Sequence, residues 1–266
     1  GTSRHLMIAM SSLRKALEED PSCAIAYSAM AEANVRKYLI WDGDEKFLVE
    51  AREMAEKALR FDPESAEAHT SLGFAYHISG HLIEATREYR AAIQHDNDEW
   101  LAHRLLGAIF AREGNFKKSA GFLRRAISLR PEHIPSYDEL YSVLQRLDRY
   151  EESLEVADEG IAAARAHLKG HKDDQETRLY LALLLARLAS HGEARKHVDL
   201  ALQLAPKDGY SAFRGACVFA VTGDFTDAIA LLTRARDRGY FVQVELRTNS
   251  DLDVLRGLPE FRELQA

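Results

Sequence analysis

Apolar and small residues recur along this chain with two superimposed periods. Over short stretches they return every three or four positions, as on one face of an α-helix, and the pattern as a whole repeats about every 34 residues. The small residues Ala58, Ala92, Ala126 and Gly160 stand in one column, Ala201 and Ala235 resume it after a longer interval, and Ala16 extends it upstream. A second column holds Ala51, Ala85, Ser119, Ser153, Ala194 and Ala228. In a third the large residues Leu72, Leu106, Leu140 and Leu181 recur, with Gly73 and Gly107 following two of them. Two antiparallel helices approach closely only where small side chains face each other at their crossing, so these columns predict a series of helical hairpins. A bundle has no reason to keep a fixed period.

Turn residues agree with this reading. Gly80, Gly114 and Gly223 fall where the first helix of a hairpin must stop, and Pro21, Pro63, Pro131 and Pro206 where the second must. The stretch from Ala66 through Leu72, Gly73, Tyr76, Ala85, Tyr89 and Ala92 to Asn97 resembles the tetratricopeptide signature, and Trp100 to Pro131 repeats it. The resemblance implies an all-α, right-handed superhelical solenoid of about six hairpins, at 24–62, 66–96, 100–130, 134–168, 175–205 and 209–238. Residues 1–20 are expected to be the second helix of an incomplete repeat, 169–174 a joint between hairpins 1–4 (21–168) and hairpins 5–6 (175–238), and 239–266 a C-terminal cap. In the cap Leu252, Leu255, Leu258, Phe261 and Leu264 keep helical spacing, as needed to seal the last hairpin.

The first hairpin is longer than the others by an insertion near 38–50. It carries Trp41 and Phe47, either a partner-contacting ridge or a pair that packs inside lengthened helices. The segment from Ala228 through Arg238-Gly239-Tyr240-Phe241 to Ser250–Phe261 resembles the closing segment of bacterial regulatory arrays. In that group a tetratricopeptide tail follows an effector such as a winged-helix regulator, a nucleotide cyclase or a protein kinase. Gly1-Thr2-Ser3 reads as a cloning remnant, and the chain is expected to be a piece of a longer protein whose uncovered first helix would favour self-association.

Composition adds limits. At 266 residues, with 46% hydrophobic and 29% charged residues, the chain is ordinary for a folded protein. The net charge of −7 comes from interspersed acids and bases, which argues against nucleic-acid binding. The longest apolar run, Leu179 to Leu185, is too short for a bilayer. Cys23 and Cys217 are far apart in apolar helical patterns and read as reduced thiols, which favours a cytoplasmic location.

No phosphate loop, nucleophile elbow or metal-binding motif is present, so no catalytic residue, metal or cofactor is expected. His77 with His81, and His167 with His171, have metal-ligand spacing, but Gly80 and Gly170 interrupt both pairs. His69 and His103 are expected to pack between helices.

In the tetratricopeptide family the first helix of each hairpin lines the concave face. Carried onto this sequence, the candidate partner-binding residues are Glu32, Arg36, Thr70, Phe74, His77, Arg104, Ala108, Arg112, Asp138, Ser142, Gln145, Arg146, Leu183 and Arg187. Arg36, Arg112, Arg146 and Arg187 share a column, either a track for acidic groups or a response to the helix dipole. The residues of the chaperone-gripping carboxylate clamp are missing from their positions. The expected function is a non-catalytic scaffold that holds a peptide or helix of a protein partner. Self-association is the alternative, and a nucleic-acid-binding array is a weaker third.

Overall fold

The computed structural model describes residues 2–40, 43–240, 246–247 and 249–265. Its described residues are helices and the turns between them, with no strand. Two compact units are present, 1–130 and 131–266.

The first unit opens with α1 (Thr2–Glu19), followed by three hairpins: α2 (Ala24–Ile40) with α3 (Lys46–Phe61), α4 (Ala66–Ile78) with α5 (Leu82–His95), and α6 (Trp100–Arg112) with α7 (Phe116–Leu129). α4 lies against both α2 and α3, and α6 lies against α5. The second unit holds α8 (Pro135–Arg146) with α9 (Tyr150–Gly170), α10 (Gln175–Arg187) with α11 (His191–Leu204), and α12 (Gly209–Thr222) with α13 (Phe225–Asp237). A 3-10 segment (Ser250–Leu255) and α14 (Pro259–Gln265) close it.

The two helices of a hairpin are buried differently. The second helices carry one apolar stripe, as in α11, where Ala194, Val198 and Ala201 are buried. The first helices are enclosed almost all round, as in α10, where Leu179 and every residue from Leu181 to Ala186 are buried. A first helix is wedged between its own partner and its neighbours, whereas a second helix has one side in water. The small column lies at the crossings: Ala58, Ala92, Ala126, Ala201 and Ala235 have no exposed surface. At Gly160 a Cβ would lie 2.7 Å from a Leu184 methyl and 2.8 Å from Tyr137 Cβ, so no larger residue fits.

Caps fix the starts of the first helices. Ser65 accepts from the Ala68 N–H, Asp174 from Thr177 and Asp208 from Ser211. Three hairpins turn through left-handed glycines, Gly80, Gly114 and Gly223. The other two turns in the second unit place Asp148 (φ 58°) and Ala189 (φ 57°) in the same region, at a cost of about 1 kcal/mol for a residue with a Cβ.

α9 is 21 residues long, against 14 for α5, α7 and α11. The segment expected as a joint is tied down at its end: His167 Nε2 lies 2.9 Å from Asp174 Oδ2, and the Arg178 guanidinium donates to the Lys172 carbonyl. In the closing segment Leu252, Leu255, Phe261 and Leu264 are buried and Leu258 is half-buried.

Candidate interaction groove

In the first unit the residues nominated from sequence lie on the first helices of three successive hairpins. On α2, Glu32 and Arg36 form an ion pair at 2.7 Å one turn apart. On α4, Thr70 is buried with its hydroxyl unpartnered, while Phe74 and His77 are half-buried. Phe74 packs against two apolar clusters, one that includes Val35 and Ala75 and another that includes Leu101 and Leu105. On α6, Arg104 and Ala108 are half-buried and Arg112 is exposed.

The charges on these helices act on one another. His77 is held down to about 4, first by burial and then by the guanidiniums of Arg112 and Arg104, so its ring is neutral at pH 7 and sits 3.4 Å from the Tyr89 hydroxyl through Nδ1. The opposite sign gathers near the start of α6. Burial, reinforced by Glu67, Asp96 and Glu32, raises Glu99 to about 7, although its carboxylate accepts the Leu101 N–H. This stretch therefore has a cationic part (Arg104, Arg112) and a part lined by carboxyl groups (Glu32, Glu67, Glu99). The sequence columns singled out the arginines but not Glu99, which is conspicuous only through its burial.

A raised Glu99 gives a pH dependence of known sign. The folded carboxyl keeps its proton to about pH 7, whereas the unfolded one loses it near 4.5, so the contribution of Glu99 to stability is most favourable in acid and declines as pH rises through that window. Glu99→Gln, which does not titrate, is expected to flatten this slope and to add about 1–2 kcal/mol at pH 8 after allowance for solvent screening. Urea unfolding of both proteins at pH 5 and pH 8 checks this, and equal slopes would refute it.

In the second unit the candidates divide. Ser142 is half-buried, Arg146 exposed, and Gln145 donates to the Ser153 hydroxyl at 2.7 Å. Leu183 has no exposed surface, so it belongs to the core and offers nothing to a partner. Arg187 faces inward. Its Nε and Nη2 donate to Asp138 Oδ1 at 3.0 and 2.8 Å, Nη2 also reaches Asp251 Oδ1 at 3.1 Å, and the guanidinium lies 4.6 Å over the Tyr141 ring. Burial opposes this charge, yet the two carboxylates hold the pKa of Arg187 above its ordinary value. Burial and the neighbouring Asp138 push Asp251 up. Arg214 adds a second guanidinium, 4.2 Å over the Tyr180 ring and 3.8 Å from Asp138 Oδ2, and Cys217 is buried beside Asn249. Asp138 and Arg187 thus hold the closing segment to the hairpins. Sequence reading missed this cluster, because Asp138, Arg187, Arg214 and Asp251 come from four separate elements.

The insertion also resolves differently from a contact ridge at one of its two aromatics. Phe47 is buried in α3, with the Lys37 ammonium 3.8 Å from its ring centroid, so it stiffens the lengthened hairpin. Trp41 lies outside the described residues. Several of the histidines singled out from sequence make local contacts. The His167 and His171 rings stack at 4.2 Å, His69 bonds to Glu88 at 2.8 Å, and buried His103 bonds to the Asn97 carbonyl at 2.9 Å. Among the described residues no group of three or more His, Cys, Asp or Glu side chains is placed to hold a metal ion. No helix among them is long and apolar enough to cross a membrane.

Residues 79–134 match the tetratricopeptide repeat family. A DnaJ homolog subfamily C member 7 homolog from Schizosaccharomyces pombe is 28% identical over 138 residues, covering 46% of this chain and 29% of that protein. The fold is shared with the APC/C hetero-tetramer Cut9–Hcn1, at TM-score 0.59 and 17% identity over 98% of this chain and 45% of that one. It is also shared with the human IFIT1 dimer solved with m7Gppp-AAAA, at TM-score 0.64 and 14% identity over 97% of this chain and 66% of that one. The chain spans less than half the length of the first two.

Proposed function

We infer that this tetratricopeptide-repeat chain is a non-catalytic scaffold that holds a peptide or helix of a protein partner along the first helices of its first unit. The observation that carries this reading is Phe74: a half-buried aromatic at the junction of three hairpins, with the cationic pair Arg104 and Arg112 on the neighbouring helix. An apolar anchor flanked by opposite charges suits a segment with one apolar and one acidic side chain. Glu32, Arg36, His77 and Ala108 complete the surface, and Thr70 is left out because it is buried. Asp138 and Arg187 are left out because they serve the closing segment, and Leu183 because it is core. The resemblance of 228–261 to the closing part of bacterial regulatory arrays favours the partner-binding or regulatory part of a larger signalling protein. A second reading is self-association through α1, whose Met7 and Ile8 are each 54% exposed.

The test is selection of binders from a displayed peptide library, followed by calorimetry on the wild type and on Phe74→Glu/Arg112→Glu, with circular dichroism confirming equal helix content. Selected peptides are expected to lose at least about tenfold in affinity to the double variant, or roughly 1.4 kcal/mol. Equal affinity for both proteins would remove the groove from consideration.

A further inference from the structure

We propose that copies of this chain associate head to tail, the outer face of α9 of one copy seating in a cleft along α5 of the next. The cleft has a volume of about 560 Å³ and lies on the second helix of its hairpin, away from Phe74. Leu82, Ile83 and Ala91 supply apolar surface, and Arg87 and Arg90 stand beside them one turn apart. Ile83 is 84% exposed, more than any other large apolar side chain among the described residues. Arg87 contacts Glu88 at 2.9 Å but keeps 70% of its side chain exposed, so it remains open to a second carboxylate. Glu113 marks one edge with the opposite sign.

α9 presents the complement. Tyr150 and Leu154, one turn apart, are 54% and 43% exposed. Around them Glu151, Glu155, Asp158 and Glu159 are all exposed. Spaced at three and four residues, these side chains share a face, giving an acidic helix with an apolar centre. Such a helix fits an apolar cleft flanked by arginines, with Leu154 against Ile83 and the carboxylates against Arg87 and Arg90. A second copy is the chosen occupant because this chain itself carries a helix of that charge and shape. The two surfaces are different, so the contact is heterologous and builds chains or rings rather than a twofold dimer.

Sedimentation of the full chain over a range of concentrations tests this, with Ile83→Glu and Leu154→Lys as variants whose fold is checked by circular dichroism. The wild type is expected to gain mass with concentration, less so at high salt. Each variant alone is expected to associate at least tenfold more weakly. An equimolar mixture of the two is expected to form a complex of two chains and nothing larger, because one retains the α9 face and the other the cleft. The proposal is overturned by a wild type that stays monomeric at millimolar concentration, by variants that associate as the wild type does, or by a mixture that stays monomeric. It is equally overturned if Ile8→Glu on α1, rather than either variant, abolishes association.

Discussion

Replacing Arg187 by alanine is expected to lower the unfolding free energy by about 3–5 kcal/mol, the usual cost of removing one partner from a buried ion pair. The side chains of Arg187, Asp138 and Asp251 are 11%, 14% and 9% exposed, so the cluster is close to dry. Alanine removes the donor shared by both carboxylates and leaves the two acids with Arg214, 3.8 Å from Asp138, as their remaining countercharge. The deficit has a pH signature. Unpaired buried carboxylates take up protons more readily, so the loss shrinks as pH falls and they neutralise. Replacing Arg187, Asp138, Asp251 and Arg214 together by Met, Leu, Leu and Met, so that no buried charge is left behind, is expected to be far milder than Arg187→Ala, since the cluster contributes through completeness more than through attraction. Denaturant unfolding at pH 7 and pH 4 measures both effects. A loss below about 1 kcal/mol at pH 7 would mean that water reaches the cluster.

The second large effect belongs to the first unit. Tyr89 has no exposed surface, and its ring fills the space where a side chain on residue 73 would lie, Cε1 being 2.7 Å from the position a Cβ of Gly73 would take. Tyr89→Ala therefore opens a cavity between α4 and α5 that no neighbour can fill, at a cost of about 3–5 kcal/mol. Tyr89→Phe keeps the ring and gives up only the 3.4 Å contact with His77, a change expected to stay near 1 kcal/mol or less. Thermal unfolding of the two variants separates packing from hydrogen bonding. Equal losses would assign the energy to the hydroxyl.

The hairpins were legible in the sequence because close helix crossing imposes a local rule: only a small residue fits, Ala at 58, 92 and 126 and Gly at 160, so the geometry writes a period. The turns were legible where Gly80, Gly114 and Gly223 supply positive φ, but not at Asp148 and Ala189, which adopt the same conformation without the signal. The candidate groove was legible as far as it depends on hairpin register, which places Phe74, Arg104 and Arg112. It failed at Arg187, which shares a sequence column with exposed Arg112 yet turns inward. What separates them is Asp138, 49 residues earlier, and Asp251, 64 residues later. No local pattern reports a partner at that distance. Leu183 failed for a related reason: the column specifies a side of the helix but not what packs over it.

Because Asp251, Leu252 and Leu255 complete the second unit, that unit lacks part of its core until residues 250–255 leave the ribosome. The first unit ends at residue 130 and needs none of them. Roughly 120 residues separate the two events, and at about 5–20 residues per second their synthesis takes on the order of 6–25 s. For that interval the nascent chain carries a folded first unit while leucines of the second stay exposed, so a partner of the proposed groove would meet it before the second unit is complete.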